Sequence, residues 1–451
     1  MSQSASIALS RDVALLAAFT RVPSRAFAAL LALLVATIFA GGAQAQISVD
    51  VTEGHRRPLP IAIADFAGPR GADIAAVVRA NLERSGLFDV QSPASFLQRD
   101  TEVNLAPRFA DWRVIKSEAL VVGRSGQTGN RLRVEFRLWD VYGESQMLGL
   151  EFGSAQENWR RIAHKVSDAI YQRLTGESGH FDSRIVFVAE SGPRLRRIKR
   201  LAVMDQDGAD PSFLTDGSEQ VLSPRFNAQG QQIVYTTLGD RGIRLWVLDI
   251  ESGRAETISG IGNLAFAPRF SPDGQSIIFS ADRDGDTDVF LKNLRTGSLR
   301  KLTDNPAIDT SPAFSPDGKA IAFTSDRAGG PQLYRMNADG TGVRRLSFGP
   351  GAYSTPVWSP KGDLIAFTRQ RGGQFEIGVM NADGSGERTL ASAYLVEGPT
   401  WSPNGRVIMF QREAAPGAPA ELWTVDISGR NPRKMPYAAA GSDPAWSSSL
   451  P

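Results

Sequence analysis

Residues 311–340 read SPAFSPDGKAIAFTSDRAGGPQLYRMNADG. Ser315-Pro316-Asp317-Gly318 is turn chemistry: proline presets φ, aspartate bonds nearby backbone, and glycine accepts the left-handed conformation that closes the turn. Ile321 and Phe323 follow two residues apart, which puts both on one face of a strand. A polar stretch, Ser325–Gly330, then leads to a second apolar run, Leu333–Met336. Asp339-Gly340 is a tight hairpin signal toward one more strand.

The same phrase recurs. SPRFNAQG begins at Ser223, APRFSPDG at Ala267, SPAFSPDG at Ser311, TPVWSPKG at Thr355 and GPTWSPNG at Gly398. Their prolines, Pro224, Pro268, Pro312, Pro356 and Pro399, are spaced 44, 44, 44 and 43 residues apart. The pairs Ile233/Tyr235, Ile277/Phe279, Ile321/Phe323, Ile365/Phe367 and Ile408/Phe410 recur in phase with them. A period of this length is one four-stranded propeller blade. Residues 184–222 carry Ile185/Phe187 and Asp207-Gly208 in phase but lack an opening strand. Asp443-Pro444-Ala445-Trp446 supplies that strand at the far end of the chain, and the closure removes the open ends of the ring. No Gly-His…Trp-Asp pattern recurs, so WD40 is set aside. The repeated aromatics, Phe323 among them, are expected in the core.

Composition agrees. The 451 residues include 44 Gly and 26 Pro, which suits many turns and disfavours a helical bundle. With no Cys there is no disulfide framework, thiol nucleophile or Cys-ligated metal. A formal net charge of +2 gives no electrostatic reason to expect nucleic acid.

Ala26–Ala40 is an apolar run behind Arg21 and Arg25, ending in Ala43-Gln44-Ala45. It is short for a membrane span and fits a secretory signal peptide over 1–45, cleaved between Ala45 and Gln46, with an uncleaved anchor as the alternative. The mature protein then lies outside the cytoplasm.

Residues 46–182 have a different rhythm. Ile61–Ala64 and Ala119–Val122 read as strands, and Leu132, Val134, Phe136 and Leu138 alternate with charged residues as a strand with one wet face. Helices are expected over Asp73–Arg84, stopped by Gly86, and over Gln156–Leu174, stopped by Gly176. The fold expected is two-domain: an N-terminal α/β domain with two helices on a small mixed sheet, then an all-β six-bladed propeller over 183–451 closed by the C-terminal strand.

Catalytic signals are sparse. The three histidines, His55, His164 and His180, all precede the propeller, which excludes a Ser-His-Asp triad or His-based metal centre there. The acidic run Asp282–Asp288 lacks the glycine and glutamate spacing of a calcium loop and is expected to be a hairpin turn. No cofactor is expected.

Several phrases together resemble the TolB family, the periplasmic component of the Tol-Pal system. They are Ile-Ala-Phe-Thr-Ser-Asp-Arg at Ile321–Arg327, Met-Asn-Ala-Asp-Gly at Met336–Gly340 and Met380–Gly384, and the Ala163–Gly176 helix with its Leu-Thr-Gly exit. The propeller repeat alone is shared with other proteins, including propellers attached to serine peptidases; the helix narrows the match. The resemblance implies a periplasmic adaptor without catalytic residues. It would bind the lipoprotein Pal through the propeller and TolA through the mature N-terminus, supporting outer-membrane integrity and constriction during division.

For Pal, the segments entering each x-Pro-x-aromatic motif are expected to form loops around one rim, where variable residues suit binding. The candidates are Ala267, Asp309, Thr310, Tyr353, Ser354 and Glu397, with Tyr353 as aromatic anchor. For TolA, Gln46, Ile47 and Val49 would form a released strand that adds to a partner's sheet edge. The rival readings are a carboxylate hydrolase, marked by Asp/Glu pairs converging in the channel, and a glycan-binding propeller, marked by exposed rim aromatics.

Overall fold

Ser315 Oγ donates to the Asp317 carboxylate at 2.6 Å and accepts the Ala320 N–H at 3.0 Å. Gly318 closes the turn at φ 70°, so each residue of the Ser-Pro-Asp-Gly phrase has a mechanical role. Where Asn227-Ala228-Gln229-Gly230 replaces that phrase, Asn227 Oδ1 accepts both the Gln231 and Gln232 N–H groups, at 3.0 and 3.1 Å. One side chain there does the work of two.

The computed structural model describes residues 57–450 apart from Arg194, Leu195, Arg241, Asn263, Asp284 and Ala438. The signal segment with its Ala45–Gln46 cleavage point, the strand Gln46, Ile47 and Val49, and His55 lie outside the described residues. No helix among the described residues is long and apolar enough to cross a membrane.

From Arg184 onward the strands form six four-stranded antiparallel sheets. The last strand, Ala440–Trp446, pairs with Arg184–Ser191, so the first blade is composite as expected. Its innermost strand comes from the end of the chain. In every blade the Ile/aromatic pair of the second strand is buried, including Ile321 and Phe323 at 0% exposure. These side chains pack between adjacent blades: Phe323 lies in one cluster with Ile278, Val289, Ile321 and Tyr334.

Each innermost strand breaks register at one place. The residue before the repeated proline adopts positive φ: Ser223, Ala267, Ser311, Thr355 and Asp443 near 50°, and Gly398 at 64°. The freed amide turns to the neighbouring blade. Ser311 N–H reaches Ser280 Oγ at 3.1 Å, Ser223 N–H reaches the Asp443 carboxylate at 3.3 Å, and Asp443 N–H reaches Gln411 Oε1 at 2.8 Å. A β-bulge thus interrupts all six innermost strands, and at these three the freed amide ties one innermost strand to the neighbouring blade.

The N-terminal domain is a mixed sheet in the order β2-β1-β3-β4-β5. Its strands are β1 (Leu59–Ile63), β2 (Phe88–Val90), β3 (Ala119–Thr128), β4 (Arg131–Asp140) and β5 (Ser145–Ala155). β1 runs parallel to β2 and β3, and the rest is antiparallel. Helices α1 (Gly71–Ser85) and α3 (Trp159–Thr175) are the two expected, ending at left-handed Gly86 and Gly176. A short α2 (Phe109–Val114) is additional; it buries Trp112 against Phe96.

The turn that follows each innermost strand, Ser-Pro-x-Gly in four of the six blades, lies at one end of the channel, here the turn face, and the innermost strand begins at the other, the opening face. The N-terminal domain meets the turn face. Glu177 bridges Arg406 at 2.6 Å and Lys361 at 3.1 Å, which hold its carboxyl low against the opposing effect of partial burial. Asn431 Nδ2 donates to the Arg84 carbonyl at 3.0 Å. Buried Asn81 donates to His164 Nδ1 and Ser167 Oγ, each at 2.9 Å, and accepts from Gln206 of the first blade at 3.2 Å.

Candidate functional site

The segments expected to be rim loops are instead the first halves of the innermost strands, Leu264–Phe270, Asp309–Phe314, Ala352–Trp358, Leu395–Trp401 and Ala440–Trp446. The bulge explains the difference. A proline preceded by a left-handed residue reads in sequence as a turn, yet here it sits inside a paired strand.

This placement divides the candidates. Ala267, Thr310, Ser354 and Glu397 are half-buried at the opening end of these strands. Asp309 and Tyr353 are not surface residues, and their expected role as contacts is corrected. Asp309 is 0% exposed and accepts from the Arg327 guanidinium at 2.9 and 3.1 Å and from Asn305 at 2.8 Å. It anchors the turn after the second strand. Tyr353 is also 0% exposed; its hydroxyl donates to Glu387 at 2.8 Å, with Arg369 alongside.

What the sequence reading missed is an apolar girdle. Leu264, Ile308, Phe348 and Tyr394 stand at or just before the innermost strands of four successive blades and are 44–75% exposed. Leu238, in a hairpin on the same face, is 45% exposed. Each is a large apolar side chain in a turn-like segment, which was the available signal. Large exposed apolar groups around a recessed polar centre are the anatomy of a protein-binding surface.

Glu397 is the polar feature of that centre. Burial pushes its carboxyl upward, and repulsion from Asp443 and Glu413 adds to the effect. Asp288, from the acidic run, is buried against Lys301 at 2.8 Å and Thr303 at 3.0 Å, so it serves an ion pair within its own blade. One acidic cluster with metal-like spacing occurs among the described residues: His164, Asp205 and Asp207, with ligand atoms within 4.8 Å of one another. Arg160 already reaches Asp205 at 3.0 Å and Asp207 at 2.6 Å, so a guanidinium supplies the positive charge there. The cluster belongs to the contact between domains.

Sequence comparison follows these divisions. The profile of the TolB beta propeller domain matches residues 171–450, and that of the TolB amino-terminal domain matches residues 47–147. The chain belongs to the TolB family. A Tol-Pal system protein TolB of Paramagnetospirillum magneticum is 52% identical over 249 residues, 53% of this chain and 55% of that one. The chain thus spans about half the length of that curated relative. The crystal structure of TolB from Acinetobacter baumannii superposes with a TM-score of 0.79 at 29% identity, covering 89% of this chain and all of that one. TolB architecture accordingly accounts for both the propeller and the small sheet that meets its turn face.

Proposed function

We propose that this TolB-family protein is a non-enzymatic periplasmic adaptor that binds Pal through the opening face of its propeller. The observation that carries the reading is the girdle of Leu264, Ile308, Phe348 and Tyr394 around half-buried Ala267, Thr310, Ser354 and Glu397. Apolar contacts at the girdle would exclude water while the strand ends accept a partner segment. Membership of the TolB family, with a relative named as a Tol-Pal system protein, supports Pal as that partner. TolA is the second partner, reached through Gln46, Ile47 and Val49, with the adaptor supporting outer-membrane integrity and constriction during division.

The test is calorimetric titration of the mature chain, Gln46–Pro451, with the soluble domain of Pal. Saturable one-to-one binding is expected, weakened by Phe348→Ser and by Thr310→Arg with unchanged melting temperatures. Absence of heat and of a complex on gel filtration would overturn the reading. For TolA, deletion of Gln46–Val49 is expected to abolish binding while leaving Pal affinity alone.

One observation speaks for the hydrolase rival: Glu397, Asp443 and Glu413 gather near the channel, with Glu397 shifted toward protonation. Asp443 is engaged by the Ser223 amide at 3.3 Å, which favours a structural role. Under the adaptor reading, Glu397→Gln alters Pal affinity and no hydrolytic activity.

A further inference from the structure

At the turn face the channel holds a cavity of about 420 Å³. One residue per blade lines it at the position after the repeated proline: Arg225, Arg269, Ala313, Val357, Thr400 and Ala445. Adjacent blades thus place two guanidinium groups side by side, while the other four blades offer small or uncharged side chains.

Arg225 spends one N–H on the Pro224 carbonyl at 2.6 Å and has Asp443 as its opposing charge. The Arg269 guanidinium has no hydrogen-bond or ion-pair partner among the described residues, and the charge that acts on it is Arg225, of like sign. Burial, and then that repulsion, drives Arg269 well below the usual arginine range. A guanidinium does not give up its proton in a protein, so the strain persists as an unneutralised cation. Trp358, in the same wall, has a buried indole N–H with no acceptor. Both arginines keep partial exposure to the lumen, so a solute in the channel reaches them.

We propose that Arg225 and Arg269 form a binding site for a small oxyanion of the phosphate class. Two planar donor forks match the paired oxygens of such an anion, and charge-assisted bonds in a recessed cavity are stronger than in open water. The site lies at the opposite end of the channel from the face proposed for Pal, so it stands or falls independently of that function.

The test is calorimetric titration of the mature chain with inorganic phosphate, at ionic strength held constant with sodium chloride. Saturable binding is expected, and Arg269→Gln weakens it by about tenfold or more. Arg225→Gln, a second variant in case the first folds poorly, is expected to weaken it likewise. In phosphate-free buffer Arg269→Gln should melt at or above the wild-type temperature, because it removes an unpaired cation; phosphate should then raise the melting point of the wild type alone. Equal phosphate affinity in wild type and both variants, or a melting shift reproduced by chloride, would overturn the proposal.

Discussion

Arg369 holds the most concentrated ion-pair network of the propeller. Its side chain is 8% exposed, and its Nε donates to Glu376 at 2.6 Å while the guanidinium also pairs with Glu387. Tyr353 and Thr389 complete the shell. Removing one partner of a buried ion pair strands the others, at a cost of about 3–5 kcal/mol. Arg369→Met is therefore expected to lower unfolding free energy by about 3 kcal/mol, read from a urea denaturation midpoint. Adding Glu387→Gln in the same chain leaves Glu376 with its other partner, Arg371 at 3.2 Å, restores neutrality and should recover part of the loss; a midpoint unmoved by Arg369→Met would remove the network from the account of stability. Tyr353 also marks how far the sequence could be read at this scale. Three residues before each repeated proline stand Val221, Ala265, Asp309, Tyr353, Val396 and Gly441, all buried. The apolar members of that register announce an interior position, so alignment of the repeats with one another carried the information that Tyr353 faces inward. Asp309 was harder, because its partner Arg327 comes eighteen residues later across a hairpin.

Among the elements, the second strand of each blade was fully legible. Its period-two apolar pattern survives without interruption, and the structure buries each Ile/aromatic pair. Phe323 shows what that burial is worth. It is 0% exposed and packs between two blades, so Phe323→Ala should destabilise by about 3–5 kcal/mol through lost transfer energy and the cavity left behind. A denaturation midpoint equal to wild type would remove Phe323 from the core. The innermost strand was legible only in part, because its alternation reverses at the bulge. After the left-handed residue the side chains change phase, and Arg225 and Arg269 come to line the channel. A pattern that changes phase mid-strand mimics a loop when read residue by residue. The opening-face girdle escaped for a related reason: single apolar residues in turns are common on any surface, and only ring closure brings these from separate blades onto one face.

At the scale of the whole molecule, the two domains meet through groups whose protonation opposes one another. Burial drives His180 down to about 3, and Arg84 adds to the shift. Its folded value lies below the unfolded one near 6.5, so its stabilising contribution is complete above pH 6.5 and is lost as pH falls toward 3. Asp168 accepts the Phe181 and Asp182 N–H groups at 2.8 and 2.9 Å, yet burial pushes it up to about 6. Its contribution runs the other way, complete below pH 3.8 and lost as pH rises through 6. Between pH 4 and 6 the two slopes, each at most about 1.4 kcal/mol per pH unit, partly cancel. His180→Phe should unmask the aspartate: its melting temperature relative to wild type rises as pH drops from 6.5 to 4, whereas Asp168→Asn falls relative to wild type over pH 6 to 4. Differences independent of pH would sink this assignment. Ring closure is the larger dependence. The final strand pairs with the first blade, Trp446 Nε1 donates to Ser183 Oγ at 2.8 Å, and Leu450 N–H donates to the Asp182 carbonyl at 2.8 Å. The last twelve residues thus hold both the ring and the segment leading from the N-terminal domain. Without them the first blade keeps an exposed strand edge and the channel wall loses one of its six members. Deletion of residues 440–451 should abolish the cooperative thermal transition of the propeller and yield oligomers on gel filtration, because the first blade is left with an open edge free to pair with another chain. A synthetic peptide of residues 440–451 added during refolding should restore the monomer and its transition. A truncated chain that stays monomeric and melts at the wild-type temperature would show that closure by this strand is dispensable.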